Sequence, residues 1–146
     1  MALKRHEHWD TRHYDAHLRQ HAKTPFEWGK NDCCLAAANA IQSFTGVDLA
    51  QDFRGRYQDE RGAFELIAAI TGGQSVADAL VWCAKKYGLQ EHKFPLMAKR
   101  GDLVLVDNGR TQIAGTVHLN GRHVVCMSAK GFVRLPISKV VRSWGV

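Results

Sequence analysis

Helical and strand patterns occupy different halves of this chain, and that separation constrains the fold more than any other feature of the sequence. Before Pro95, apolar residues recur at helical spacing, whereas after Pro95 short apolar runs such as residues 103–106 have the composition of strands. Helices followed by strands are typical of α+β domains with an antiparallel sheet. Because 146 residues is the length of one ordinary domain, we predict a single α+β domain over residues 1–146.

Four segments in the first half carry apolar residues at the three- and four-residue spacing of amphipathic helices. Their predicted ranges are 9–22, 33–44, 63–71 and 75–87. The second segment is rich in alanine, which lets a neighbouring element approach closely, so we expect it to be buried. Ser75 and Asp78 match a capping box, which places the start of the last helix. Residues 48–61 are polar and mixed, and we expect them to be irregular.

Five short runs after Pro95 are predicted to be strands. Their ranges are 103–106, 113–119, 122–127, 131–135 and 140–144. Asn120-Gly121 is the strongest short hairpin signal in the chain. If these are the two turn residues, His118 lies opposite His123 in an antiparallel pair of strands. The sequence therefore predicts both a hairpin and its register.

Alternation along that hairpin divides its residues between two faces of the sheet. The more apolar face contains Ile113, Gly115, Val117, Leu119, Val124 and Cys126. We expect the helix that begins at Cys33 to cover this apolar face. On that interpretation His118 and His123 point away from Cys33.

Composition and charge exclude several classes of protein. Twenty basic and fourteen acidic residues give a net charge of +6, but the basic residues form no cluster, so we predict no dedicated nucleic-acid binding. No apolar run approaches the roughly 18 residues of a membrane span, and the polar N-terminus predicts no signal peptide. His13, His17 and His21 recur every four residues, but no cysteine or acidic cluster completes a site. We interpret them as a polar helix face and predict no metal or cofactor.

The pair Asp32-Cys33 at a predicted helix start carries the chemical signal of the sequence. A cysteine in the first turn of a helix lies at the positive end of the helix dipole, which favours the thiolate. Such a thiolate becomes a catalytic nucleophile when a histidine approaches it and a third polar group orients that histidine. From the residues alone, Cys33 is either a nucleophile or a buried structural cysteine.

Two motifs resemble those of NlpC-type cysteine peptidases, which have a papain-like fold. The first is the loop from Phe26 through Trp28-Gly29 to Asp32-Cys33, and the second is Gly101-Asp102 followed by an apolar strand. The chain is more closely similar to small NlpC-like proteins encoded in the tail-gene clusters of bacteriophages and prophages. That similarity also includes these segments: Thr45-Gly46-Val47-Asp48, Arg54-Gly55-Arg56-Tyr57 and Trp144. The resemblance implies a papain-like fold, with N-terminal helices packed on a small antiparallel sheet or half-barrel.

The same resemblance implies roles for particular residues. Cys33 is at the nucleophile position, and Trp28, Gly29 and Asp32 support it. The family's histidine position falls on Ile113, and its third polar group falls near Val125. His118 and His123 are the remaining strand histidines, and they would need a register shift of several residues to act as bases.

These departures indicate a degenerate catalytic site. The resemblance then implies a phage tail-tip or tail-assembly component that acts through contacts with other tail proteins, is made in the host cytoplasm and resides in the virion. The alternative is an active cysteine peptidase or amidase that cleaves host peptidoglycan during DNA entry. Arg54, Arg56 and Tyr57 are the predicted partner contacts, because guanidinium groups form bidentate bonds with carboxylates.

Overall fold

The computed structural model describes residues 2–146, which form four α-helices and one five-stranded antiparallel sheet. The helices are α1 (Asp15–Gln20), α2 (Cys33–Thr45), α3 (Glu60–Thr71) and α4 (Val76–Lys86). The strands are β1 (Leu103–Asp107), β2 (Gln112–Val117), β3 (His123–Ser128), β4 (Gly131–Pro136) and β5 (Val140–Trp144). They are ordered β4-β3-β2-β1-β5 in the sheet. The predicted α+β class is confirmed.

Side-chain caps explain where the three longer helices begin. Asp32, Asp59 and Ser75 each accept a hydrogen bond from a backbone N–H in the first turn of α2, α3 and α4, respectively. The capping box of Ser75 and Asp78 is confirmed. Because Asp59 is the N-cap, α3 begins at Glu60, three residues before the predicted start.

The first predicted helix differs from its expected form. A π-helical turn over Trp9–Tyr14 leads directly into α1, which ends at Gln20. The side chain of Tyr14 is completely buried. The centroid of its ring lies 6.2 Å from that of Trp9 and 5.2 Å from that of Phe44. These aromatic contacts hold the N-terminal segment against α2.

The predicted hairpin register is confirmed. Val117 pairs with Val124, and the His118 N–H donates a 2.8 Å hydrogen bond to the His123 carbonyl oxygen. The predicted two-residue turn is wrong, because the Gly121 N–H donates to the His118 carbonyl oxygen at 2.9 Å and residues 119–122 form a four-residue loop. The Asn120 side chain closes this loop by accepting hydrogen bonds from the Arg122 and His123 N–H groups, and the register is the same as a two-residue turn would give.

The prediction of which sheet face α2 covers is wrong. Ala114 packs in the core cluster that contains residues of α2, whereas Ile113, Val117 and Val124 belong to a second cluster on the opposite face. A small side chain at Ala114 allows the alanine-rich helix to approach the sheet closely. The polar residue on this face, Thr116, is buried without penalty because its hydroxyl pairs with the Tyr14 hydroxyl at 2.7 Å.

Three further observations concern the part of the chain that the structure describes. All four cysteines are free thiols. No group of three or more histidine, cysteine or acidic side chains within residues 2–146 is arranged to hold a metal ion. No single helix there is long and apolar enough to cross a membrane. Taken together, α3 and α4 have the length and apolar composition of a membrane span, but the pair is bent by 44° at the break between the two helices.

Candidate thiol site

Asp32 is the structural centre of the candidate site. Its side chain is buried, and Oδ1 accepts a hydrogen bond from the Leu35 N–H at 3.0 Å. Oδ2 accepts hydrogen bonds from the Gly29 N–H and from the Tyr57 hydroxyl. One carboxylate therefore joins the aromatic loop, the first turn of α2 and the irregular segment before α3. This network places Cys33 at the start of α2.

Gly29 is required by this arrangement for two reasons. Its φ of +80° lies in the left-handed region, which disfavours residues with a side chain. A Cβ at this position would also clash with the Tyr57 carbonyl oxygen. Gly29 therefore combines a positive φ with a close approach to the backbone of Tyr57.

The Trp28 side chain lines the site but is not fully buried. Its side chain is half-buried and meets the Phe26 ring edge to face, with ring centroids 5.0 Å apart. It also lines the cavity beside Cys33. Its partial burial and its contact with Phe26 anchor the loop that precedes Cys33.

Cys33 is half-buried, and its sulfur lies 3.9 Å from the sulfur of Cys34. Hydrogen bonding with the Cys34 thiol lowers the pKa of Cys33 more than burial raises it, and hydrogen bonds to the backbone of Ala114 and Cys34 lower it further. The pKa of Cys34 is raised well above its ordinary value by hydrogen bonding to Cys33 and by burial. Within this pair, ionisation is therefore favoured at Cys33 and disfavoured at Cys34.

The two cysteines line an apolar cavity of about 70 Å³ between α2, α3 and α4. Its wall also includes Leu35, Tyr57, Phe64, Ile67, Leu80 and Cys83. The sulfur of Cys83 is buried, and burial raises its pKa to about 12. Of the thiols on this cavity, Cys33 alone has a pKa shifted toward the thiolate.

The structure places no histidine ring within hydrogen-bonding distance of the Cys33 sulfur among residues 2–146. Ile113, at the histidine position implied by the resemblance, packs into the cluster on the far face of the sheet. Ala114 is the β2 residue that lies against Cys33. Its methyl group can neither accept nor donate a proton, so the thiol lacks a general acid or base on this strand.

His118 and His123 lie together at the end of the hairpin. His118 Nδ1 accepts a 3.0 Å hydrogen bond from the Asn120 N–H, and His123 Nδ1 lies 3.0 Å from the Asn120 side-chain amide. His118 lines a separate cavity with His17 and His21 of the first helical segment. The structure therefore brings the two candidate bases together but gives neither a contact with Cys33.

This cavity is a second candidate binding site, which the sequence alone did not predict. It continues into a neighbouring polar groove, and the two are lined by His17, His21, Asn31, Asn39, Gln42, Ser43, His118, Phe132 and Arg134. Burial and the neighbouring His21 lower the pKa of His17 to about 4, so His17 is neutral at pH 7. The four-residue spacing of the histidines was visible in the sequence, but the contribution of β3 and β4 was not.

All three predicted partner-contact residues make hydrogen bonds within the domain. Arg54 forms a two-point ion pair with Asp48 at 2.8 and 3.0 Å, and Tyr57 donates to Asp32. The pKa of Arg54 is raised and that of Asp48 lowered, chiefly by their mutual hydrogen bonds. The Arg56 side chain is exposed, and its Nη1 donates a 2.9 Å hydrogen bond to the Asp52 carbonyl oxygen.

Comparison with known proteins gives one match. A family model described as a domain of unknown function (DUF6950) matches residues 4–146. No curated protein and no solved structure matches the chain. The family match includes every residue of the Cys33 site and of the cavity and groove lined by His17 and His21.

Proposed function

The chain belongs to the DUF6950 family, a domain of unknown function, and we propose that it is a structural component of a bacteriophage tail. In this proposal it uses an NlpC-like, papain-like domain whose thiol site does not hydrolyse peptide bonds. Its partners are other tail proteins, and its final location is the virion.

The arrangement of the elements supports the NlpC-like part of the proposal. A cysteine begins a helix that packs on an antiparallel sheet, and the Gly101-Asp102 motif immediately precedes β1. The buried Asp32 orients the loop that precedes the cysteine. These are the features that a papain-like thiol site requires from the scaffold.

The contact between Cys33 and Ala114 carries the non-hydrolytic part of the proposal. Cleavage of an amide requires a proton for the leaving amine, and a positioned acid or base contributes about 10²–10⁴-fold to such a reaction. At Cys33 the thiolate is favoured by Cys34 and by backbone groups, none of which can act as that acid at neutral pH. The site can therefore hold a thiolate but lacks a group that releases the amine.

The tail role is proposed from the sequence resemblance together with the surface that remains free. The Arg56 side chain is exposed and makes one hydrogen bond, to the Asp52 carbonyl oxygen, whereas the side chains of Arg54 and Tyr57 are paired with Asp48 and Asp32. A rigid domain with an exposed arginine is suited to contacts with carboxylates of a neighbouring tail protein.

The hydrolytic alternative has one specific observation in its favour, which is the lowered pKa of Cys33. An assay on purified peptidoglycan separates the two functions. The wild-type protein and Cys33→Ala are incubated with sacculi, and an active NlpC-type peptidase serves as the positive control. We expect equal, background release of muropeptides from both variants. Release by the wild type that Cys33→Ala abolishes would establish the peptidase instead.

The tail role is tested in particles. Mass spectrometry of purified virions from a phage that carries this gene is expected to detect the protein. Particles assembled with Cys33→Ala are expected to have normal morphology and infectivity. Absence of the protein from virions would contradict the tail role.

A further inference from the structure

The turn before β1 exposes three large apolar side chains. Phe94, Leu96 and Met97 are 60%, 63% and 51% exposed, respectively. The other exposed large hydrophobic residues of the described chain, Val81 and Val141, reach 37% and 36%. We refer to residues 93–99 as the apolar tip. Because these three exposed side chains are close together in the chain, they form one apolar surface patch.

The base of the apolar tip is held by one buried carboxylate. Asp102 Oδ2 lies 2.8 Å from His92 Nε2 and accepts a 2.9 Å hydrogen bond from the Lys99 N–H. Between these two points, the Ser143 hydroxyl donates to the Pro95 carbonyl oxygen at 2.9 Å. The apolar side chains are therefore presented by a fixed 3₁₀ turn, Pro95–Met97, and not by a loose loop.

The charged residues of the apolar tip itself are both basic, and the neighbouring Arg100 lies 3.8 Å from Asp10 of the N-terminal segment. Lys93 and Lys99 are exposed at its two ends, and residues 92–101 contain no acidic residue. The preceding acid, Glu91, is paired with Arg142 at 2.6 Å. The following acid, Asp102, is buried beneath the turn. The tip therefore combines three exposed apolar side chains with an exposed lysine at each end.

We propose that the apolar tip inserts into the interfacial region of an anionic lipid bilayer. Apolar side chains at the tip would enter the boundary between headgroups and acyl chains, while Lys93 and Lys99 remain at the level of the lipid phosphates. The side chains of Phe94, Leu96 and Met97 have no strong hydrogen-bonding groups for directional recognition of a protein. A uniformly negative surface matches cations on both sides of such a point. This inference goes beyond the tail role and does not depend on it.

Vesicle sedimentation of the full chain tests the proposal. The vesicles contain phosphatidylcholine alone or phosphatidylcholine mixed with phosphatidylglycerol. We expect binding to the anionic vesicles that falls at least tenfold in Leu96→Asn/Met97→Asn and falls steeply with added salt. Val81→Asn, which makes the same kind of change on the exposed side of α4, is the matched control and is expected to bind like the wild type. Lys93→Gln/Lys99→Gln is expected to weaken binding and reduce its dependence on salt.

A second readout does not depend on the stability of the double variant. In Leu96→Trp, quenching by brominated acyl chains is expected for the introduced tryptophan and exceeds that of the native tryptophans in the wild type. Equal binding to neutral and anionic vesicles would overturn the proposal, as would absence of binding or of quenching. Loss of self-association in Leu96→Asn/Met97→Asn without any vesicle binding would assign the tip to a contact between protein chains.

Discussion

The Tyr57 hydroxyl donates a hydrogen bond to the carboxylate of Asp32, 25 residues earlier in the chain. Through this bond the segment before α3 stabilises the residue that caps α2. Burial and the nearby Asp32 charge raise the pKa of Tyr57, so the hydroxyl keeps its proton and remains a donor. The position of Cys33 therefore depends on a contact outside its own helix.

Tyr57→Phe removes that donor and retains the ring. We expect the free energy of unfolding to fall by about 1–2 kcal/mol, since the buried Asp32 loses one hydrogen-bond partner. Urea denaturation of the purified variant measures the change. An unchanged midpoint would show that the hydrogen bond contributes nothing net.

Gly29→Ala tests the close approach between the aromatic loop and Tyr57. We expect a loss of about 3 kcal/mol or more, because the new Cβ meets both an unfavourable φ and the Tyr57 carbonyl oxygen. Gly55→Ala is the matched control, since Gly55 has φ +78° but nothing within 4 Å of the added Cβ. The control is expected to cost about 1 kcal/mol. Equal losses in thermal and urea unfolding would contradict a steric role for Gly29.

Alkylation across pH tests the assignment of the thiolate. Cys33 is expected to react with iodoacetamide at a pH below that of an ordinary cysteine, because its pKa is lowered. Burial raises the pKa of Cys83 and Cys126 to about 12, so these two are expected to stay unmodified at neutral pH. Cys34→Ala removes the hydrogen-bonding thiol and is expected to move the Cys33 profile to higher pH. Peptide mapping by mass spectrometry identifies the modified residue, and an unshifted Cys33 profile in Cys34→Ala would contradict the pairing.

The lowered pKa of His17 predicts that the free energy of unfolding decreases in acid. Its folded pKa of about 4 lies below the ordinary value of 6.5, so the unfolded chain binds more protons between these pH values. Stability is therefore expected to decrease as the pH falls from 6.5 toward 4 and to be independent of this group above 6.5. After allowance for partial exposure, the loss at pH 4 is about 1–2 kcal/mol. His17→Gln is expected to remove this part of the slope in urea denaturation, and identical profiles for both proteins would exclude it.

Arg56 and Arg54 form a matched pair for the proposed tail interface. Arg56→Ala removes an exposed side chain and is expected to weaken incorporation into tails while leaving the melting temperature within the range of ordinary surface changes. Arg54→Ala breaks the ion pair with Asp48 and is expected to lower stability by up to about 1 kcal/mol. Incorporation is measured from virion protein content and stability from thermal unfolding. Equal losses of incorporation and stability in Arg56→Ala would assign Arg56 to the fold.

The face covered by α2 shows where the sequence-based prediction failed. Counting apolar residues favoured the face of Val117 and Val124, yet α2 packs on the face of Ala114 and Thr116. Apolarity could not decide this because both faces of the sheet are buried. The deciding factors were the small volume of Ala114 and the hydroxyl that Tyr14 supplies to Thr116 from a segment about a hundred residues earlier.

The sequence alone determined the features that depend on neighbouring residues. These are the capping box of Ser75 and Asp78, the register of the hairpin around Asn120-Gly121 and the position of Cys33 in the first turn of α2. Each is governed by hydrogen bonds or backbone preferences over a few residues. The tertiary structure determined the surroundings of Cys33. It brought Ala114 next to Cys33 and the Tyr57 hydroxyl to the carboxylate of Asp32. These contacts join segments far apart in the chain, so their geometry follows from how closely the helices and the sheet can pack.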